Sequence, residues 1–389
     1  MPQSELEGLQ VYGDTAVGWD DRAAPNESTD DEGNVVPIRD ADADSRAPGR
    51  RVYDDDSVEE LRRRLRRDNG IRGLEICDPG EVERALRIYR RDGFVVVRDL
   101  LDADQLARWR EGCARRLQDI LSVPGQDGRK YATETMRLPH RYSYGSSSGS
   151  RHMLHDPAWA GMVDLPTTTP IITAIFGSSE YRVWGAGGDL CLPGAIEYQH
   201  LHRDGRDHQL LPKERIEQAR TLGVELTRNA AGNLNVTTQK LIVEMTPPLV
   251  TINFLMCDLT WENGPIRQIP GTHSSQQPLP SQAEEPDWMR QSTLVGATAG
   301  AGVIRDNRAW HGATPNLSRE IRAMPNVEYS PSWRPREDYR RAMPHEIWET
   351  LSPHARALCD WVVAEPGTWP PGAGIMHPVA GRRTELVDK

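Results

Sequence analysis

Two histidines and one aspartate have the residue types and spacing needed to hold a redox-active metal ion. His202 and Asp204 form a His-x-Asp triplet, and His311 follows in the run Trp310-His311-Gly312. Two imidazoles and one carboxylate bind one face of a ferrous ion and leave the opposite positions open to a co-substrate and O₂. In a strand, the side chains at positions i and i+2 point to the same face. The sequence therefore predicts an Fe(II) site formed by His202, Asp204 and His311, with these residues also serving catalysis.

Arg322 follows His311 at a distance that places it on a neighbouring strand. Arg322 is the eleventh residue after His311, with a Pro-Asn turn at 315–316 between them. A guanidinium group there could hold a carboxylate through two parallel hydrogen bonds, as a dicarboxylate co-substrate requires. Two alternatives stay open at this level. A His200/His202 pair could replace the triplet, because the two positions share strand parity, and Arg319 could take the place of Arg322.

Length and cysteine usage indicate the compartment. The chain of 389 residues has no apolar stretch long enough to cross a membrane, and it begins without a secretory signal pattern. Neither a disulfide framework nor a zinc knuckle is indicated, because its cysteines are scattered singly with no CxxC pair. We therefore expect a cytoplasmic protein that spans no membrane.

The net charge of −10 belongs to the N-terminal end of the chain. Residues 1–60 carry 17 of the 57 acidic side chains but only 5 of the 47 basic ones, and the remainder is nearly balanced. A balanced surface offers no electrostatic footprint for nucleic acid. Residues 1–56 are rich in Asp, Ala, Gly and Pro, so they cannot bury enough apolar surface to offset the entropy of ordering. We predict an acidic, disordered tail over 1–56 and no nucleic-acid partner.

The order of helical and β-type patterns predicts one domain over 57–389. Residues 57–122 show helix start signals and helical periodicity around a short apolar run at 93–97. From about 130 to 335, short β-type runs alternate with Gly, Pro and Asn, which is typical of a sandwich or barrel. Residues 345–364 are helical in pattern again. The predicted fold class is therefore mostly β with flanking helices.

Three runs resemble the phytanoyl-CoA dioxygenase family. The run Glu262-Asn-Gly-Pro-Ile-Arg-Gln-Ile-Pro-Gly-Thr-His273 looks like the family's hairpin, and the runs at 92–97 and 141–145 resemble bacterial members. The resemblance extends over about residues 80–335. It implies a double-stranded β-helix, which is a jelly roll of the cupin type.

The family's His-x-Asp…His iron triad and its co-substrate arginine match this chain residue by residue. The resemblance thus implies that His202, Asp204 and His311 bind Fe(II), and that Arg322 binds 2-oxoglutarate. Asn253 and Gln199 are further candidates for the co-substrate cavity, although Asn253 could equally be a buried amide satisfied by the backbone. Family members often use a lysine or glutamine on the strand before the triplet as a second contact. Here that strand reads Gly-Asp-Leu-Cys-Leu over 188–192, so this contact stays open.

The function implied is that of an Fe(II)- and 2-oxoglutarate-dependent dioxygenase. Such an enzyme uses O₂ to hydroxylate or desaturate a C–H bond of a small-molecule metabolite and releases succinate and CO₂. A cupin-like metalloenzyme of the isomerase type would not need Arg322, and a non-catalytic small-molecule binding protein would not need Asp204. The substrate, the carbon attacked and the oligomeric state do not follow from the sequence.

Overall fold

The computed structural model describes most of the chain. The described residues are 18–19, 27–29, 35–37, 53, 56–67, 73–121, 134, 137–138, 140–145, 152–275, 277–281, 284, 291–335 and 341–370. The predicted tail over 1–56 therefore lies mostly outside the described residues.

Twelve strands and nine α-helices are present in this part of the chain. The helices are α1 (Asp56–Arg67), α2 (Val82–Asp92), α3 (Ala103–Leu121), α4 (Pro157–Ala160), α5 (Thr169–Phe176), α6 (Lys213–Thr221), α7 (Val236–Met245), α8 (His345–Glu349) and α9 (Pro353–Leu358). The strands are β1 (Glu27–Thr29), β2 (Val35–Pro37), β3 (Ile76–Cys77), β4 (Phe94–Val97), β5 (Arg141–Ser143), β6 (Tyr181–Cys191), β7 (Val250–Phe254), β8 (Ile266–Gln268), β9 (Thr293–Leu294), β10 (Gly302–Asp306), β11 (His311–Ala313) and β12 (Arg322–Pro331).

Two facing sheets form the domain. The major sheet has the order β3-β4-β10-β7-β12-β6-β5 and is antiparallel except for the β3–β4 pair, and the minor sheet has the order β11-β8-β9. Residues 199–202 extend the minor sheet, because the amides of Gln199 and His202 donate to the carbonyl oxygens of Ala313 and His311. This arrangement confirms the predicted class, a jelly roll with flanking helices.

The side chains of β4 show where the core lies. Phe94 and Val96 belong to an apolar cluster that includes Ile266 of the minor sheet, so they fill the space between the sheets. Val95 and Val97 point the other way and pack in a larger cluster with α2, α3 and α5. Because a strand buried on both faces reads as a continuous apolar run, this segment was recognisable from its sequence.

The N-terminal helices end and begin where their sequence signals predict. A reciprocal capping box starts α3, in which the Gln105 amide donates to Asp102 Oδ1 at 2.8 Å and the Asp102 amide donates to Gln105 Oε1 at 3.0 Å. Gly93 ends α2 at φ 82° and leads directly into β4. These helices cover the outer face of the major sheet.

The segment predicted as a β core from about 130 to 335 also contains helices α4 to α7. Two of them, α6 and α7, belong to a long helical insertion (residues 205–249) between Asp204 and β7. The C-terminal segment over 345–364 is likewise not one helix but two short ones, since Pro353 begins α9 and cannot continue α8.

Part of the predicted disordered tail is docked on the domain. Trp19 packs edge-on against Tyr53 at 5.6 Å between ring centroids and donates from Nε1 to the Ser318 carbonyl oxygen at 3.2 Å. The short strands β1 and β2 pair antiparallel in the same region. Trp19 therefore contacts the domain, and the disorder expected over the rest of 1–56 stays a prediction.

Candidate metal centre

His202, Asp204 and His311 lie together at the edge of the minor sheet. Their potential ligand atoms all lie within 4.8 Å of one another. His202 Nε2 is 3.5 Å from Asp204 Oδ1, and His311 Nε2 is 3.5 Å from Asp204 Oδ2. Within the described residues this is the group of three His, Cys, Asp or Glu side chains that could hold a metal ion. His200 is not part of it, so the His200/His202 alternative is not what the fold assembles.

An isolated β-bridge and a bend, rather than a regular strand, position the His-x-Asp triplet. His202 forms an isolated antiparallel bridge with His311, and Asp204 follows in a bend. The sequence argument placed both side chains on one face of a strand, and the structure achieves the same convergence through a single bridge and a turn. Gly312 makes this close approach possible, because a Cβ atom there would lie 2.6 Å from the Gln199 carbonyl oxygen.

Each imidazole is oriented by a main-chain carbonyl group. His202 Nδ1 lies 2.8 Å from the carbonyl oxygen of His200, and His311 Nδ1 lies 3.0 Å from that of Ala309. A carbonyl oxygen only accepts, so Nδ1 carries the proton and donates to it in both rings. The Nε2 lone pairs are therefore free to bind a metal, with their ring orientation fixed by the outer hydrogen bond.

The protonation states also suit a metal site. Burial and the nearby Arg305 guanidinium lower the pKa of His311 to about 4, so the imidazole is neutral near pH 7. Burial opposes ionisation of Asp204, but Arg305 and His311 hold the pKa of this carboxyl well below its ordinary value. Neutral imidazole and ionised carboxylate are the forms that bind metal. Two histidines and one carboxylate on one side of a cavity fit non-haem Fe(II).

A cavity of about 90 Å³ adjoins the triad. The residues that line it are mostly polar and include four arginines: Arg137, Arg141, Asp189, Leu190, Gln199, His202, Asp204, Asn253, Ile266, Arg305, His311, Gly312, Ala313, Arg322 and Met324. All four residues of the predicted constellation are among them. Gln199 and Asn253, the further candidates from the sequence, line it as well.

Arg322 is one of the buried cations of this cavity. It is the first residue of β12, pairs with Cys191 of β6, and is 2% exposed. Its Nε and Nη1 atoms have no hydrogen-bond partner among the described residues. Leaving a charged donor buried and unpaired is costly, so these two atoms fit a ligand that supplies oxygen acceptors. Arg319 lies elsewhere, with its guanidinium 4.0 Å from the centre of the Tyr53 ring.

Arg141 lies beside Arg322 in the same cavity but is mostly engaged by the backbone. Its Nη2 donates to the carbonyl oxygens of Glu197 at 2.7 Å and Thr314 at 2.9 Å. Burial and the neighbouring Arg322 charge lower its pKa. Arg141 comes from the run over 141–145 that resembles bacterial family members, and the structure places it in the cavity.

Gln199 and Asn253 make specific contacts with the elements around the triad. Gln199 Oε1 accepts from the Ala313 amide at 3.2 Å, so its side chain braces β11 two residues after His311. Asn253 is buried, and its Oδ1 accepts from Arg305 Nε at 3.1 Å. The amide of Asn253 is thus satisfied at Oδ1 by a side chain rather than by backbone groups.

Arg305 is a member of the site that sequence reasoning missed. It lies on β10 and contacts Asp204 Oδ2 through Nη2. The signal available was an arginine inside the otherwise apolar run Gly-Val-Ile-Arg-Asp over 302–306. A charged residue on a buried strand needs a partner, but the run does not name that partner.

A network of buried ion pairs lies behind the two segments that carry the candidate metal ligands. Asp207, three residues after Asp204, accepts from Arg215 Nη2 at 2.6 Å and from Arg308 Nη1 at 3.0 Å. Arg308 lies three residues before His311 and also pairs with Asp306 at 2.6 Å. Arg215 is on α6, so the network joins the helical insertion to both segments.

The solved structures that resemble this chain do so at low sequence identity. AviO1 from Streptomyces viridochromogenes Tue57 is 16% identical, with a TM-score of 0.45 over 68% of this chain and 99% of that one. HygX from Streptomyces hygroscopicus, solved with nickel, 2-oxoglutarate and hygromycin B bound, is 15% identical, with a TM-score of 0.42 over 64% of this chain and 87% of that one.

Among the described residues, no helix combines the length and the apolar character that a membrane span requires.

Sequence comparison identifies the family. Dioxygenase af480 of Aspergillus fumigatus is 34% identical over 113 residues, which are 28% of this chain and 35% of that protein, so the match spans about a third of this relative. The family model described as phytanoyl-CoA dioxygenase (PhyH) matches residues 89–324, more than half of the chain. The match confirms the resemblance seen in the sequence to the family described as phytanoyl-CoA dioxygenase. The chain belongs to the phytanoyl-CoA dioxygenase family.

Proposed function

We propose that the protein uses Fe(II), 2-oxoglutarate and O₂ to hydroxylate or desaturate a C–H bond of a small-molecule metabolite, with release of succinate and CO₂. The observation that carries this proposal is the shared cavity of the triad and Arg322. A metal site and a buried guanidinium with two unpartnered nitrogen atoms face the same space. A keto acid with a second carboxylate at its far end has the groups to occupy both.

His202, Asp204 and His311 would bind the iron through three positions on one face. The bound iron supplies the oxidation, in which 2-oxoglutarate loses CO₂ and the substrate C–H bond is oxidised. Arg322 holds the far carboxylate of 2-oxoglutarate and so orients the keto acid for chelation. Gln199 braces β11, and Asn253 acts on the site through Arg305.

The surrounding residues favour a polar cavity with buried, charged walls. Arg141, Asn253, Arg305 and Arg322 are each at least nine-tenths buried. In such surroundings charge-assisted hydrogen bonds are stronger than in water and act without reorganisation. All five cysteines are unpaired and buried, in keeping with the reducing cytoplasm that we propose as its location.

Two other functions use fewer of these residues. A cupin-like isomerase would bind a metal through the triad but has no use for a buried guanidinium whose donors are unpartnered. A non-catalytic binding protein would need neither the neutral imidazoles nor the ionised Asp204. The dioxygenase reaction uses all four residues.

The first experiment is an anaerobic titration of the metal-free protein with Fe(II) and then with 2-oxoglutarate. Joint chelation produces a weak visible charge-transfer band, and the band should be absent in Asp204→Ala. Asp104→Ala, a change at an exposed aspartate on α3, is the matched control and should retain the band. A wild-type protein that binds iron but gives no band on adding 2-oxoglutarate would favour the isomerase alternative.

The second experiment addresses the substrate. Small-molecule metabolites are screened for stimulated release of succinate from 2-oxoglutarate under air. A compound that raises succinate release in the wild-type protein and not in Asp204→Ala is a substrate or a close analogue. A compound that binds without raising succinate release in any variant would support the binding-protein alternative.

A further inference from the structure

Arg305 brings a guanidinium group against the carboxylate of the triad from the opposite sheet. The residue is 4% exposed and lies on β10, where it pairs in register with Thr251 of β7 and Phe94 of β4. Its Nη2 contacts Asp204 Oδ2, its Nε donates to Asn253 Oδ1 at 3.1 Å, and Nη1 has no hydrogen-bond partner among the described residues. The minor sheet thus supplies the ligands, and the major sheet supplies a cation that holds one of them.

The contact concerns one oxygen atom of Asp204 in particular. Oδ2 faces Arg305 and lies 3.5 Å from His311 Nε2, while Oδ1 lies 3.5 Å from His202 Nε2. A carboxylate oxygen that accepts a charge-assisted hydrogen bond is fixed in direction, and it binds a metal ion more weakly through its lone pairs. Asp204 therefore has one oxygen restrained by Arg305, while its other oxygen faces His202 and has no contact with Arg305.

The number of coordination positions on a ferrous ion makes this restraint important. Three protein ligands would leave three coordination positions, two for the keto-acid chelate and one for O₂. A carboxylate that binds through both oxygens takes a fourth position and leaves nothing for O₂ once the chelate is in place. We propose, on the basis of the function proposed above, that Arg305 is a positioning residue that limits Asp204 to one-oxygen binding and keeps the O₂ position open.

Asn253 extends the restraint to a second strand. It is 2% exposed, lies on β7 and pairs in register with Val303 of β10 and Asn326 of β12. Its hydrogen bond fixes Nε, so that the guanidinium plane presents Nη2 to Asp204. Asn253 therefore acts through Arg305.

The test compares wild-type protein with Arg305→Met, Arg305→Lys and Asn253→Ala, each loaded anaerobically with Fe(II) and 2-oxoglutarate. Nitric oxide is the probe, because it binds ferrous iron at an open position and gives an electron paramagnetic resonance signal. In Arg305→Met the apparent nitric oxide Kd should rise about tenfold or more, while the affinity for Fe(II) stays the same or increases. Methionine matches the length of the aliphatic part and offers no donor.

The other two variants separate positioning from a merely structural role. Arg305→Lys keeps a charge near Oδ2 and should recover part of the nitric oxide affinity. Asn253→Ala removes one hydrogen bond and leaves both charged groups, so its Kd should rise about fivefold. If Arg305→Met does not fold, the nitric oxide affinities of Arg305→Lys and Asn253→Ala test the positioning role of Arg305.

Two results would overturn the proposal. One is wild-type nitric oxide affinity in the folded Arg305 variants and in Asn253→Ala. The other is a loss of Fe(II) affinity in Arg305→Met that matches the loss for nitric oxide, because the triad itself would then have come apart. A wild-type protein without the 2-oxoglutarate band rejects the proposed function and this inference with it, whereas a normal wild-type band with unaffected variants rejects only the role of Arg305.

Discussion

His202 and His311 donate their backbone amides to each other's carbonyl oxygens, at distances of 2.9 and 3.0 Å. The two imidazoles therefore sit on one rung of an antiparallel pair, with ring centroids 4.3 Å apart. Since backbone pairing fixes this rung, the site exists before a metal arrives. The metal-free protein should keep its fold, unlike small domains whose folding depends on the metal.

Gly312→Ala should disturb this rung. The added Cβ would meet the carbonyl oxygens of Gln199 at 2.6 Å and His200 at 3.1 Å, so the two segments must separate. We expect a loss of roughly 1–3 kcal/mol in stability, as for other overpacked sites, with weaker binding of Fe(II) or Co(II). Denaturant unfolding and calorimetric metal titration measure the two effects. Gly80→Ala is the control, because a Cβ atom there meets nothing within 4 Å; equal effects in both variants would contradict the expectation.

Arg322→Lys should weaken 2-oxoglutarate and leave iron affinity nearly unchanged. Lysine keeps the charge but loses the planar pair of donors, which corresponds to about 1.5–3 kcal/mol for hydrogen bonds to a charged group. The 2-oxoglutarate concentration that half-saturates the charge-transfer band should rise roughly ten- to hundredfold. Arg319→Lys, at the arginine stacked on Tyr53, should not change it. An equal loss of iron affinity in Arg322→Lys would show that the assigned role is wrong.

Asp207→Asn should be strongly destabilising, because it leaves Arg215 and Arg308 buried without their shared counter-charge. Breaking a buried ion pair in this way costs about 3–5 kcal/mol. The matched control is Glu217→Gln, which removes an exposed ion pair with Arg220 on α6 and should cost about 0–1 kcal/mol. Urea unfolding of the two variants measures the difference. Similar values would mean that the network behind the triad is not energetically coupled.

Glu328 gives the metal-free protein a pH-dependent stability. Burial and the Asp204 charge raise the pKa of this β12 carboxyl from 4.5 to about 7. The folded state therefore binds more protons than the unfolded state between these values, so stability is fully present below about pH 4.5 and is lost as the pH rises through about 7. Glu328→Gln should lack this loss. Unfolding free energies at about pH 5.5 and about pH 8 test it, and a pH dependence identical in wild type and variant would refute it.

The four-residue constellation was accessible from the sequence for a specific reason. The constellation consists of polar residues whose spacing is typical of positions on one strand or on neighbouring strands of a sheet. The structure brings all four to one cavity: His202, Asp204, His311 and Arg322. Their catalytic and binding roles stay predictions until the variants are measured. The jelly roll followed from short β-type runs and from the family resemblance.

The remaining features depend on contacts that no local pattern encodes. Arg305 meets a carboxylate 101 positions away in the chain, and a strand pattern does not show where a buried charge finds its partner. The helices of the insertion were missed because α6 is highly charged and has no wide apolar face, since only Arg215 and Ala219 are buried on it. Trp19 docks through a single indole, which composition averaged over 56 residues conceals.

Because Asp207 pairs with both Arg215 and Arg308, the insertion is connected to the candidate metal centre although it supplies none of the three candidate ligands. A shift of α6 acts on Asp207 through Arg215, and from there it reaches Asp204 along three residues of chain and His311 through Arg308. A compound that displaced α6 outwards would therefore act on Asp204 and His311 together, although it would bind outside the cavity that the triad lines.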